Sequence, residues 1–363
     1  MNDLPAARSD LTATAVKVNG KDKIFLFGGC AADQVRAPWD NNMFYCPTIT
    51  DRCDVFDPVT KEFNGDDAVL CNSAPRVRYR HTAVAVDDKV YLIGGVDGND
   101  NAVKEIDVYD PSDGTWSVFG TWDAATTDLA SFVVDKEIYI VGGYQVPDYV
   151  AQSAVYKFDT TADSLSLTSA DSLKHARGDI FAAASDHYVY ITGGWTHANG
   201  WANPLATVER WHLPSDHDHD HSHWERVANM THNRGDKALM HMNGKIYAIG
   251  GENEAEEKAV KVVEVFDEST MEWSDAGSIV DETFRFVAVA HEPTESIYIF
   301  GGQNFYDDVC DCYKISNEVL RFVDMDWQND NIDAGGGAGS FATLSSAVAG
   351  LALAFMAVLG LFA

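Results

Sequence analysis

A glycine pair recurs six times along this chain, each time closing an aromatic or β-branched run. The pairs are Gly28-Gly29, Gly94-Gly95, Gly142-Gly143, Gly193-Gly194, Gly250-Gly251 and Gly301-Gly302, with first glycines 66, 48, 51, 57 and 51 residues apart. The runs before them are alike: Ile24-Phe25-Leu26-Phe27, Val90-Tyr91-Leu92-Ile93 and Ile297-Tyr298-Ile299-Phe300 are three of the six. A period of this length defines a repeat architecture, in which units bury their apolar faces against one another. The glycines follow strands and match no phosphate-binding loop, since neither GxxxxGK[ST] nor GxGxxG accompanies them. Their expected role is positive φ and close backbone approach where the second strand of each unit turns away from a crowded axis.

The unit reads as a four-stranded antiparallel meander. In the second copy Thr82 to Val86 is followed by the turn Asp87-Asp88, then Lys89 to Ile93 and the glycine pair. A variable loop leads to Ile106-Asp107-Val108-Tyr109, the turn Asp110-Pro111-Ser112-Asp113-Gly114, and Thr115-Trp116-Ser117-Val118. The step of seven from Tyr109 to Trp116 recurs from Phe56 to Phe63, Phe158 to Leu165, Phe266 to Trp273 and Leu320 to Trp327. An insertion stretches it from Trp211 to Trp224. The glycine pair, the aromatic on the third strand and the tryptophan on the fourth resemble the kelch repeat. That resemblance implies an all-β fold, a six-bladed kelch-type β-propeller over 4–328, with first strands lining a central channel. Blades are expected near 4–71, 72–121, 122–172, 173–229, 230–279 and 280–328.

In such a meander, loops joining strands 2 and 3 share a face with the blade-to-blade connections. Those loops vary most here, and binding residues tend to sit on loops of a rigid scaffold. Trp39, Tyr45, Tyr144, Tyr149, Trp195, Trp201, Phe305 and Tyr306 are therefore expected at a ligand-binding face, or else pack the long loops onto the blades. A second expectation concerns the start of each first strand. Asp10, Arg80, Asp128, Asp179, Asp236 and Arg285 stand there, and two residues earlier come Arg8, Arg78, Thr126, Arg177, Arg234 and Thr283. Positions i and i+2 share one side of a strand, so both sets are expected in a polar ring at the channel mouth. Arg177-Gly178-Asp179 and Arg234-Gly235-Asp236 spell an adhesion tripeptide, but their common repeat position marks them as repeat structure.

Cys30, Cys46, Cys53, Cys71, Cys310 and Cys312 are disulfide candidates. Four lie in the first repeat and two in the last, which abut in a closed ring, so bridges are expected to brace the longest loop and the seam; connectivity stays open. His217, His219, His221 and His223, interleaved with aspartates, form a polar turn with at most adventitious metal affinity. No metal site and no cofactor is expected.

The net charge of −30 argues against nucleic-acid partners. Segment 329–343 reads as a Gly/Ala/Asp-rich linker. Segment 344–363 is uncharged and apolar, long enough for a C-terminal hydrophobic helix spanning a bilayer, or for a GPI-anchor signal. The cysteines favour a propeller outside the cell or in a lumen, with a cytosolic tail-anchored topology as the alternative. No GxSxG or HExxH constellation is present. The expected function is non-catalytic binding of a protein or glycan by a membrane-tethered propeller. The alternative is a sugar-acting enzyme of the mutarotase type with its site at the channel mouth.

Overall fold

The computed structural model describes residues 1–37, 40–65, 70–196, 204–213, 223–253, 258–323 and 340–342. Each glycine-closed run is the second strand of a four-stranded antiparallel sheet, and six such sheets follow one another along the chain. Their first strands are Thr12–Val18, Thr82–Val86, Ala130–Val134, Ala182–Ala184, Ala238–Met242 and Val287–His291. Second strands such as Lys89–Ile93 are buried along their apolar length, whereas outer strands such as Thr115–Thr121 are mostly exposed. A strand covered on both faces by neighbouring sheets reads as a continuous apolar run, which is why these runs do not alternate. Hairpins between first and second strands close on Asn19-Gly20, Asp87-Asp88 and Asn243-Gly244, with both residues of each at positive φ, as tight right-twisting turns require.

A separate apolar cluster fills each gap between successive sheets. The gap between last and first is filled in the same way: Leu11, Ile24 and Phe56 pack on Val289, Tyr298 and Phe300. The architecture is thus all-β, antiparallel and propeller-like. One short 3-10 turn, Glu292–Thr294, is the helical element among the described residues.

The second glycine of every pair donates its N–H to a carbonyl of the following sheet. Gly29 reaches Arg78, Gly95 Thr126, Gly143 Arg177, Gly194 Arg234 and Gly251 Thr283; Gly302 closes the set on Arg8. The first glycine sits just as close. A Cβ on Gly142, at φ +59, would lie 2.7 Å from the carbonyl oxygen of Arg177. Any side chain there would push two sheets apart.

Two sequence expectations change at the end of the chain. The outer strand of the sixth sheet is Ser340–Ala342, paired antiparallel with Val319–Val323, inside the segment read as a linker. The residue aligned with Phe266 is Phe322, opposite Ile297, and not Leu320. A step counted from Leu320 therefore pointed to Trp327, which lies outside the described residues, as does the apolar segment 344–363. In the third sheet the outer strand is Thr168–Ala170, just beyond Leu165.

Gly142→Ala is expected to cost about 2 kcal/mol or more, combining left-handed strain with the carbonyl clash. Gly244→Ala, at φ +71 with nothing within 4 Å of the added Cβ, carries the strain alone. Urea unfolding of both variants checks this: equal losses would mean that the inter-sheet contact contributes nothing.

Candidate functional site

Asp10, Arg80, Asp128, Asp179, Asp236 and Arg285 all adopt left-handed backbone, at φ 49–56°. Each donates its backbone N–H to the carbonyl of the previous member. Arg80 bonds Asp10, Asp128 bonds Arg80, Asp179 bonds Asp128, Asp236 bonds Asp179 and Arg285 bonds Asp236; Asp10 closes the circle on Arg285 at 2.8 Å. Their side chains converge on a cavity of about 150 Å³ at the axis, lined below by the first strands.

The ring carries four carboxyls and two guanidiniums. Arg285 donates from Nε to Asp236 at 3.2 Å and from Nη1 to Gln34 at 2.7 Å. Gln34 in turn donates to Asp10. Arg80 lies 3.6 Å from Asp10 and 3.7 Å from Asp128. Asp179 has an aspartate on either side and accepts from the Tyr144 hydroxyl at 2.7 Å. Burial pushes Asp128 up to about 6, Asp179 to about 7 and Asp236 to about 8, and the adjoining carboxylates add to the rise. This cavity can present both hydrogen-bond donors and acceptors to a polar group, and its burial raises three of its carboxyls.

Arg8, Arg78, Arg177 and Arg234 do not join the ring. The left-handed residue two positions on breaks the pleat, so i and i+2 no longer share a side. These arginines are fully buried inside their own sheets. Arg177 donates to the carbonyls of Gly193 and Thr207 and to Glu209, and Arg234 to those of Gly250 and Val262 and to Glu264. Arg8 pairs with Asp54 and Arg78 with Asp107. Burial lowers Arg8, Arg78 and Arg234 to about 10, the opposing attraction of their carboxylates notwithstanding. A signal for these clamps exists in the sequence. An acid stands two residues before the third-strand aromatic wherever the arginine is present: Asp54, Asp107, Glu209 and Glu264. Where threonine replaces arginine, at Thr126 and Thr283, the matching positions are Tyr156 and Leu320.

The proposed binding aromatics divide. Tyr144 and Trp195 follow glycine pairs and are buried, and Tyr149 is buried with its hydroxyl on Asp100. Tyr144 covers Gly178 of the next sheet and Trp195 covers Gly235, so a Cβ on either glycine would run into the ring. The two Arg-Gly-Asp triplets arise here: arginine clamps the sheet, glycine admits a neighbour's aromatic, and aspartate enters the ring. Tyr45 is half-buried and Tyr306 is exposed. Phe305 lies on the strand Gln303–Asp307, while Trp39 and Trp201 fall outside the described residues.

Tyr45 and Tyr306 belong to an additional four-stranded sheet on this face. It joins Gln34–Ala37 and Asp40–Tyr45 of the first repeat to Gln303–Asp307 and Cys312–Ile315 of the last. Arg36 binds Asp311 through Nε at 2.9 Å and lies 4.6 Å from the Phe44 ring centre. This sheet spans the seam; the disulfides do not. They pair Cys30 with Cys46, Cys53 with Cys71 and Cys310 with Cys312, all within a repeat. The proximity of first and last repeats suggests bridges across the seam, but the chain turns each cysteine back to a partner in its own repeat. His217, His219 and His221 lie outside the described residues, and His223 is exposed. Among the described residues there is no cluster able to hold a metal ion and no helix long and apolar enough to cross a membrane.

These sheets, clamps and glycine contacts define an antiparallel repeat protein of the propeller class. Residues 1–194 match the KLHDC2/KLHL20/DRC7 Kelch-repeats domain and residues 233–278 match a Kelch motif, so the chain belongs to the kelch-repeat family. Kelch-like protein terF of Aspergillus terreus is 23% identical over 215 residues, covering 57% of this chain and 46% of that protein. Alpha-scruin of Limulus polyphemus is 24% identical over 267 residues, covering 69% of this chain and 28% of that protein. The matches thus span less than half the length of these relatives. A solved structure, "Structure of YjhT", covers 94% of this chain and 99% of its own at TM-score 0.69 and 11% identity, a likeness of fold.

Arg234→Met is expected to destabilise by about 3–5 kcal/mol, because it strands Glu264 in the interior, and adding Glu264→Leu should recover most of the loss. Denaturant titration of both variants decides it. Asp236 has a second signature. Its carboxyl is raised in the folded state, so its contribution is fully present below about pH 4 and is lost as pH rises through about 8. Unfolding followed against pH should show a shallower decline over that window in Asp236→Asn than in the wild type.

Proposed function

We propose that this chain is a six-bladed, non-catalytic kelch propeller that binds a protein partner through the face bearing the glycine-pair loops. Kelch-repeat proteins generally mediate protein interactions. The observation that carries the choice of face is where the loops have built further structure. Tyr144–Gln145 with Val150–Ala151, Glu252–Asn253 with Lys258–Ala259, and the four-stranded seam sheet all grow from strand 2–3 loops. Three of the hairpins at the other end are two-residue turns. The six-membered backbone ring, closing Asp10 on Arg285, supports the blade count. Exposed Tyr306 and the Arg36–Phe44 pair give the seam sheet the aromatic and arginine content typical of interface cores.

The tethering part of the proposal rests on composition. The apolar segment 344–363 attaches the propeller to a membrane, as a helix or through a GPI anchor, and the three disulfides favour an extracellular or lumenal placement over a cytosolic one. Glycans are a second class of ligand for the same face. The mutarotase-type reading draws on the axial cavity instead, where Asp179 and Asp236 could exchange protons with a sugar; Asp179→Asn abolishing anomerisation by NMR would favour it.

A photo-crosslinking residue at position 306 is expected to capture a specific protein from native extract, while one at exposed Val59, in the Asp57–Glu62 turn, is not. Identical capture profiles at 306 and 59 would remove the assignment of the binding face.

A further inference from the structure

Cys310 and Cys312 bracket a single residue at the tip of the hairpin that joins Gln303–Asp307 to Cys312–Ile315. The other two disulfides close loops of sequence separation 16 and 18, and a cross-link restrains the unfolded chain more as its loop grows. This one, of separation 2, closes the shortest loop of the three and so contributes least to stability by that route. Its two sulfurs sit in contrasting surroundings. Cys310 is exposed beside Val309, whose side chain is 97% accessible. Cys312 is 1% exposed, on the strand that pairs with Val35 across the seam. Both sulfurs of the Cys30–Cys46 bridge, by contrast, are in buried residues. Exposed disulfides that restrain little are the ones open to exchange.

We propose that Cys310–Cys312 is a thiol–disulfide exchange site, attacked at Cys310 and taking neutral or cationic thiols in preference to anionic ones. The direction follows from access. An incoming thiolate must approach from behind the sulfur it attacks, and only Cys310 faces solvent. Its sulfur bonds to Cys310 Sγ, the Cys310–Cys312 bond breaks, and the electron pair leaves on Cys312 Sγ, which takes up a proton. A second equivalent of thiol then displaces Cys310, giving the oxidised external disulfide and the protein dithiol. Cys312 Sγ lies 4.0 Å from Asp33 Oδ2, so a carboxylate stands on the inner side of the bridge. The preference for charge follows from the neighbours. Asp33, Asp307, Asp308 and Asp311 surround the bridge, against the cations Arg36 and Lys314. A net negative local field concentrates cationic thiols and repels anionic ones.

The exchange bears on the seam. Asp311, the residue between the cysteines, is held at φ 52° and binds Arg36 through both carboxylate oxygens. Opening the bridge removes the covalent restraint that aims Asp311 at Arg36.

The test is graded reduction of the native full-length protein with cysteamine and, separately, with mercaptoethanesulfonate, followed by alkylation and peptide mass mapping. The expected result is labelling of Cys310 and Cys312 at cysteamine concentrations at least about tenfold below those that open the other two bridges, with the sulfonate less effective. In addition, Cys312→Ser should trap cysteamine on Cys310, while Cys310→Ser should leave Cys312 unmodified. Opening of all three bridges together, alkylation of Cys310 and Cys312 before any reductant is added, equal potency of the two thiols, or equal trapping by the two variants would each overturn the proposal. The graded reduction uses the wild-type protein and so stands even if a serine variant fails to fold.

Discussion

Each of the six repeat sheets is fastened to the next by a backbone hydrogen bond from a glycine held at positive φ. The N–H of the second glycine reaches the neighbouring carbonyl, from Gly29 to Arg78 onward, and Gly302 returns to Arg8. A second circle, from Asp10 round to Arg285, ties the same sheets together nearer the axis. In a closed set of sheets the inner edge strands gather round the axis, where they are short and protected, and each apolar face finds a partner, including the face between last and first. Closure is what converts a row of marginal meanders into a stable domain, and the close approach at the glycine pairs is what permits closure.

The buried arginines act one level below. Each clamps the second and third strands of its own sheet with its side chain, while its carbonyl receives the glycine N–H of the sheet before. A buried ion pair is costly to desolvate and contributes little net stability, but losing one partner is severe because it leaves an uncompensated buried charge. Thr126 takes a lighter version of the role, donating its hydroxyl to the Gly142 carbonyl. The axial ring is built on this frame, and its three successive aspartates stay close only because the backbone circle fixes them there.

Much of this was legible in the chain. Repeats, strand order and the membership of the axial ring follow from local periodicity, because the same short-range pattern is written six times. One reading failed, and one pair of alternatives was divided by the packing. Arg177 and Asp179 were placed on one side by the pleat rule, yet a left-handed residue reverses the direction, and Arg80 and Arg285 show that side-chain type does not announce such a residue. Tyr144 and Trp195 look like exposed loop aromatics until Gly178 and Gly235 are seen beneath them. The complementary glycines were in the sequence, but which ring covers which glycine depends on the packing of one repeat against the next.

The sequence by itself determined the unit: four strands, a glycine-closed second strand, and an arginine matched by an acid on the third strand in four repeats. These depend on contacts within some fifty residues. Tertiary structure decided what happens between units and between the chain's two extremes: the cysteine pairing, the seam sheet in place of a covalent seam, the inward turn of the aromatics and the outer strand at Ser340–Ala342. The seam sheet and the inward aromatics depend on which neighbouring repeats the ring brings face to face, whereas the cysteine pairing and the last outer strand depend on how each loop folds back within its own repeat.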